Sequence, residues 1–496
     1  MERQGSISHV VAVMRRALVV LAVAACGPKP SSTPTVAPPH PEPAAPVAPG
    51  EPAPPASAEP VVKIPVEMHT LDNGLRVVLS PDSTAPIVAV TVYYGIGFRI
   101  EPRGRTGFAH LFEHLMFQGS ENLAKGEFNK LIAGNGGLSS GSTRFDFTVY
   151  YETVPSHVLE TVLWAEADRM RSPAVTEESL RNQKDVVSNE IRVKVLNQPY
   201  GGFPLLTMPQ IANSNWYNAH NFYGDLADLE AAQLDDVQQF FRTYYVPANA
   251  VLTIVGDFDR AKTLEWVQRY FGDIPGGARP TLPDLSEPVQ TAERRHAQTA
   301  PKADRPALAV AWHMPERGTP EFWAMAWVHQ ILASGRDSLL HQSLVQQHGY
   351  TGGVVSSINT LGSQFNYRGP MLFDVSLFHD SGTSAEQILA AIDEETTRLA
   401  AAPVDAATYA RAKVKVRSHF YNLIDKQLDR AGLISATTLF DGDPQRVNQI
   451  ERRLMSVTPE QIQAAARQIL RKDNRTVVQM VPGKKDQPAS AQKESK

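Results

Sequence analysis

Two histidines and a glutamate stand at a spacing that suits metal-assisted hydrolysis. In His110-Leu-Phe-Glu113-His114 the imidazoles are four residues apart. On a helix that spacing puts both on one face, within reach of one ion. Glu113 falls three residues after His110 and can approach the same ion without ligating it. Zinc lowers the pKa of a bound water towards ~7, and an adjacent carboxylate takes the proton as the water attacks. The spacing therefore predicts a Zn2+ site with His110 and His114 as ligands and Glu113 as general base. Chance alone would place such a pentad in roughly one chain in fifty. The surrounding elements must decide.

The pentad sits in a segment, 108–117, that reads as a helix. Before it, 75–80 and 87–94 are rich in β-branched residues, bounded by Asp-Asn-Gly and Pro turn signals, and read as strands. Residues 143–154 alternate through Phe145, Phe147, Val149 and Tyr151 and predict one strand. Helices are expected over 157–170, 177–195 and 234–245, and a strand over 250–256. A stretch rich in Pro, Gly and charge, 276–305, predicts an interdomain linker. After it the order restarts, with a strand at 307–312 and an apolar helix at 322–333 in the place of the histidine helix. The fold class expected is α+β, with duplicated domains over 62–275 and 306–484 and a polar tail over 485–496.

A chain of 496 residues exceeds one ordinary core and requires two or more domains. Its Lys+Arg (48) and Asp+Glu (52) nearly cancel, which gives no general attraction to nucleic acid. The single cysteine is Cys26, preceded by Arg15-Arg16 and an apolar run over 17–25. That run is short of the ~20 residues that span a bilayer and reads as a signal peptide over 1–26. Val23-Ala24-Ala25-Cys26 looks like a bacterial lipobox, in which the cysteine carries lipid; an ordinary signal peptide is the alternative. Residues 27–61, mostly Pro, Ala, Ser and Glu, favour extended polyproline II and read as a tether reaching on the order of 100 Å. A lipid-anchored protein of the bacterial cell envelope is expected. Gly27, in place of an aspartate retention signal, points to the periplasmic side of the outer membrane.

Gly104-Arg-Thr-Gly-Phe-Ala-His-Leu-Phe-Glu-His-Leu-Met-Phe-Gln-Gly-Ser120 resembles the active-site block of the pitrilysin/insulinase family of inverted-motif zinc peptidases. Gly136-Gly137, the block from Thr143 to Pro155, Trp164-Ala-Glu-Ala-Asp-Arg-Met170, Asp185-Val-Val-Ser-Asn-Glu-Ile-Arg192 and Phe241-Arg-Thr-Tyr-Tyr-Val-Pro-Ala-Asn249 follow in the family's order. The resemblance covers about residues 66–480. It is nearest the half-length bacterial type, similar to mitochondrial processing peptidase subunits. It implies two homologous α/β-sandwich domains forming half of a clamshell that encloses peptides or unfolded segments. It also implies a third zinc ligand, Glu190, which unaided reads as a solvated helix carboxylate. The strand carrying Asp146 and Thr148 would pair with extended substrate.

Two departures stand out. Gln183 occupies a place where many members have glutamate, which weakens the negative charge behind the ligand. Active members also grip the substrate carbonyl with an arginine and a tyrosine from the second domain, where this chain aligns Val345 and Gly352; Tyr350 is out of register by two. A missing oxyanion donor costs ~10²–10³ in rate. The resemblance therefore implies a homologous partner subunit that supplies these groups in a heterodimer; a homodimer is the other assembly expected. The alternative is a non-catalytic assembly or scaffold subunit retaining the fold. His313, His329, His341 and His348 have no matching carboxylates and read as structural.

The terminal pattern makes a direct prediction. Wild-type chain expressed in a Gram-negative host partitions with membranes and incorporates labelled fatty acid, while Cys26→Ala is recovered soluble and unlabelled. Equal labelling of both would exclude Cys26 as the anchor.

Overall fold

The computed structural model describes residues 62–483. The expected signal peptide, tether and polar tail lie outside the described residues. Six strands form the first sheet: β1 (Glu67–Thr70), β2 (Arg76–Pro81), β3 (Ile87–Tyr94), β4 (Leu138–Thr143), β5 (Thr148–Pro155) and β6 (Ala250–Gly256). Their order is β1-β2-β6-β3-β5-β4. Only the β2–β6 pair is parallel. The second sheet contains β7 (Arg294–Ala300), β8 (Ala307–His313), β9 (Val355–Ile358), β10 (Leu372–Phe378) and β11 (Arg475–Pro482), in the order β7-β11-β8-β10-β9. Here β7–β11 is the parallel pair.

Taken in chain order, β2 to β6 and β7 to β11 occupy identical places. The helix after β3 (Phe108–Leu115) corresponds to the helix after β8 (Pro320–Leu332). The chain thus holds two mixed α/β domains of one topology, as the restarting pattern implied.

The inner strands β2, β3 and β6 of the first sheet are buried on both faces, so they read as near-continuous apolar runs. On β3, Val88, Val90, Val92 and Tyr94 share a core with Phe108, Leu111, Phe112 and Leu115 of the histidine helix. Ala89 and Tyr93 face the opposite core. That opposite face is covered by a helix from the second half, Gln427–Asp441. Ser435 Oγ lies 2.9 Å from Thr91 Oγ1 and donates to Thr253 Oγ1 at 2.8 Å. Arg76 Nη1 donates to the Thr438 carbonyl at 2.8 Å. A polar seam inside an apolar contact fixes the angle of that helix, because each buried hydroxyl must find its partner.

A second seam lies at the turn between β4 and β5. Buried Arg99 pairs with Asp146 at 2.9 Å and donates to Asn218 Oδ1 and the Pro370 carbonyl at 2.8 and 2.6 Å. Asp146 Oδ2 accepts from the Arg368 backbone N–H at 2.8 Å. Asp146 therefore joins the two halves and lies in a turn. Thr148 is fully buried and donates to the Ile96 carbonyl at 2.8 Å.

Two expectations need correction. The single strand over 143–154 is in fact a hairpin, and β4 is the edge strand. Its sequence, Leu-Ser-Ser-Gly-Ser-Thr, has no apolar alternation to read. The linker over 276–305 contains β7, whose residues Arg-Arg-His-Ala-Gln-Thr-Ala are polar because it too lies at a sheet edge, where charge discourages further pairing. Among the described residues no helix is long and apolar enough to cross a membrane.

Asp146→Ala leaves the buried Arg99 guanidinium without its carboxylate, a change that costs about 3–5 kcal/mol. Urea denaturation of the variant should show a loss of that size. A loss below about 1 kcal/mol, the ordinary value for a surface pair, would mean that the pair does not hold the halves together.

Candidate metal centre

The histidine helix begins under tight constraint. Gly107 precedes it at φ 84°, and a Cβ there would meet the Tyr223 carbonyl at 2.5 Å. Only glycine combines that conformation with that approach. The four opening N–H groups of a helix lack intrahelical partners. Here the Glu101 carboxylate accepts from Gly107 N at 2.8 Å and Ala109 N at 2.6 Å. Burial raises the Glu101 pKa, against the pull of His220 and those two N–H groups. Asp228 accepts from both Thr106 N and Thr106 Oγ1, at 3.1 and 2.6 Å, and so ties the following loop to the same corner.

Helix periodicity then places His110 and His114 side by side, ring centroids 4.8 Å apart. Glu190 arrives from the helix Glu177–Ile191. His110 Nε2 lies 3.8 Å from Glu190 Oε1, and His114 Nε2 lies 3.4 Å from Glu190 Oε2. One ligand atom from each of the three residues falls within 4.8 Å of the others, the only such group among the described residues. Donors ~2.1 Å from a tetrahedral zinc sit roughly 3.4 Å apart. The donor set and its spacing fit a metal ion.

The electrostatics agree. Burial pulls the His110 pKa down to about 3, and His114 acts in the same direction. His110 is thus held in the neutral form that ligates. Burial would raise the Glu190 pKa, but His114, His110 and Lys194 outweigh it and hold the carboxyl well below the usual carboxylate range. His110 Nδ1 is buried without a hydrogen-bond partner. The ring is held instead by packing on Phe222 and Tyr223, at 5.1 and 5.2 Å between centroids.

Glu113 lies beside this group. Together with His114 and Gln183 it lines a cavity of about 490 Å³. Its Oε2 accepts from Thr143 Oγ1 of β4 at 2.7 Å, and burial raises its pKa against that bond. Gly141 brings β4 close: a Cβ there would lie 3.1 Å from Glu113 Cγ and from Phe117 Cε2. Gln183 is buried and donates to Asn182 Oδ1 at 2.7 Å.

His110, Glu113, His114 and Glu190, the four site residues expected from sequence, therefore converge. Tyr350 does not join them. It stacks on His348 at 4.8 Å, and its N–H donates to the Leu344 carbonyl at 2.9 Å. His313 and His329 are engaged by the Ala212 carbonyl and Ser356 Oγ, at 3.0 and 2.9 Å. Four contributors went unread. Glu101 and Thr143 act through the fold. Lys194 lies one helical turn after Glu190, 2.8 Å from Oε1, a spacing that could have been noticed. Tyr223 sits in a loop and donates to Glu190 Oε1 at 3.3 Å; nothing local marks it.

Two family models match the chain in succession, "Insulinase (Peptidase family M16)" over residues 76–207 and "Peptidase M16 inactive domain" over residues 231–416. The chain belongs to the M16 peptidase family. Among M16 relatives, a zinc protease of Helicobacter pylori named PqqE is 26% identical over 426 residues, covering 84% of this chain and 93% of its own length. A mitochondrial-processing peptidase subunit beta of Lentinula edodes is 22% identical over 415 residues, covering 82% of this chain and 87% of its own. The crystal structure of a protease from Helicobacter pylori superposes with a TM-score of 0.79 at 24% identity, over 85% of this chain and all of that one. The two domains form the clamshell-type fold of M16 structures.

Tyr223 donates to Glu190 from behind the cluster, and groups so placed behind a metal ligand typically contribute 10–100-fold to metal affinity. Tyr223→Phe should bind zinc about tenfold more weakly in a chelator-competition titration. Unchanged affinity would show that the hydroxyl does not position the ligand.

Proposed function

We propose that this chain is a zinc metallopeptidase that hydrolyses peptides or unfolded segments. The observation that carries the reading is a half-buried carboxylate, Glu113, on the same helix face as the histidines of a three-residue cluster able to hold a metal ion. His110, His114 and Glu190 would hold Zn2+. When bound, zinc supplies a Lewis acid that acidifies water and polarises a carbonyl. The residues of the chain do the rest. Thr143 holds the Glu113 carboxylate towards the cavity, and Glu113 accepts the proton of the attacking water and delivers it to the leaving amine. Glu101 fixes the helix on which both histidines ride. The unpaired edge of β4, beside Glu113, offers backbone groups to an extended peptide.

A partner subunit completes the reading. Val345 and Gly352 provide no oxyanion donor side chain, and Tyr350 is occupied with His348. A homologous but non-identical chain, in a heterodimer, would bring the missing arginine and tyrosine, which a second copy of this chain also lacks. The relative from Lentinula edodes bears the name of a subunit, which supports such an assembly. The residues around Cys26 support a lipid-anchored location in the bacterial envelope. A second reading, a non-catalytic assembly subunit, draws on the same two residues and on the description of the second-half family model as inactive.

Zinc content and cleavage of a quenched peptide library, with the chain alone and with a homologous partner, test this. Glu113→Gln should keep its zinc and lose roughly 10²–10⁴ in rate, the usual worth of a general base. Undiminished cleavage by the zinc-loaded variant would sink the mechanism. A zinc-loaded wild type that cleaves nothing, alone or partnered, would favour the assembly reading.

A further inference from the structure

The free edge of β4 has two sides, and only one belongs to the metal centre. β4 ends its sheet, hydrogen-bonded to β5 alone, and its first residue Leu138 is 78% exposed. In the antiparallel register Gly141 is opposite Tyr150 and Thr143 opposite Thr148. These residues point towards Glu113 and the histidine helix. Ser140, opposite Tyr151, and Ser142, opposite Val149, point to the other face. Arg144 continues that second row, since its N–H donates to the Phe147 carbonyl at 2.8 Å and extends the ladder by one pair.

On this other face lies a separate cavity of about 260 Å³, lined by Ser142, Arg144, Tyr93, Tyr151 and Asp429. Arg144 is half-buried there, and among the described residues no carboxylate lies within ion-pair distance of it. Among the described residues the guanidinium's one hydrogen bond is a long contact to the Thr143 carbonyl at 3.5 Å. The two acids nearby are otherwise engaged: Glu113 accepts from Thr143, and Asp429 faces Lys426 at 3.9 Å. A partly desolvated guanidinium without a counter-charge is costly, and its planar fork matches a carboxylate in two parallel hydrogen bonds.

We propose that Arg144 determines specificity, taking an acidic side chain of a peptide laid along β4, from the face opposite the metal centre. This deepens, and rests on, the reading of the chain as a peptidase. A strand paired to β4 alternates its side chains between the two faces. Residues on one face enter the cavity with Glu113, and the intervening residues meet Ser142 and Arg144. The acidic residue is therefore one strand position away from a residue at the scissile bond. Peptides with Asp or Glu at that position are preferred over those with Ala, and Lys is disfavoured.

The test uses the full zinc-loaded chain and matched quenched peptides in which one position at a time is Glu, Ala or Lys. The wild type should prefer Glu over Ala about tenfold at one position, the worth of one charge-assisted contact. The ratio should fall towards one in Arg144→Ala, persist in part in Arg144→Lys, and turn in favour of Lys in Arg144→Glu. Because each ratio is taken within one protein, a general loss of activity does not mimic the effect. The same peptides are bound to zinc-loaded Glu113→Gln, with and without Arg144→Ala, and followed by fluorescence anisotropy. If the binding ratio behaves as stated while the wild type, alone and with a homologous partner, cleaves no peptide, Arg144 keeps its role and the catalytic reading fails. Ratios near one at every position, a preference undiminished in Arg144→Ala, or no peptide binding at all would overturn the proposal.

Discussion

Two imidazoles and an ionised carboxylate within 4.8 Å of one another make a cluster that favours a cation. His110 is held neutral by burial and Glu190 is held ionised by its neighbours, so a ligating nitrogen and a carboxylate charge lie side by side in a partly desolvated place. Lys194 answers part of that charge from the solvent side. The closely spaced nitrogen and oxygen donors still suit a metal ion. Much of the first domain serves to maintain this arrangement against its electrostatic cost. Glu101 pins the start of the histidine helix, the loop through Tyr223 closes over His110, and the sheet backs the helix with a dry core.

The duplicated topology shows what that arrangement requires by showing the framework without the ligand cluster. In the first domain, Glu113 of the histidine helix bonds a hydroxyl of edge strand β4. In the second, His329 of the corresponding helix bonds Ser356 of edge strand β9. The helix-to-edge contact survives, but among the described residues no group of three metal-ligating side chains forms around it. The same framework thus supports a cluster able to hold a metal ion in one half and a packed structural core in the other. The halves are not independent, since the helix Gln427–Asp441 closes the first sheet and the Arg99–Asp146 pair ties the β4–β5 turn to Arg368 and Pro370.

Much of this was legible in the sequence, for reasons specific to particular residues. β3 and β6 are buried on both faces, so their apolar runs announce strands with nearly correct ends. The histidine pair is a local spacing, and a helix converts it directly into proximity. Glu190 is different. Its role depends on where a distant helix comes to rest, and only resemblance to a known family marked it. β4 and β7 escaped because edge strands rich in Ser, Gly or Arg carry no apolar alternation. Glu101, Thr143 and Tyr223 act on the site through contacts that exist only once the chain has folded, so spacing alone could not reveal them.

The central claim is that one zinc ion sits between His110, His114 and Glu190, beside Glu113. Diffraction from zinc-loaded crystals on both sides of the zinc absorption edge measures this directly. The account predicts one anomalous peak per chain, ~2.0–2.2 Å from a nitrogen of each histidine and an oxygen of Glu190. A zinc peak elsewhere, or none at these residues in protein shown to contain zinc, would contradict it.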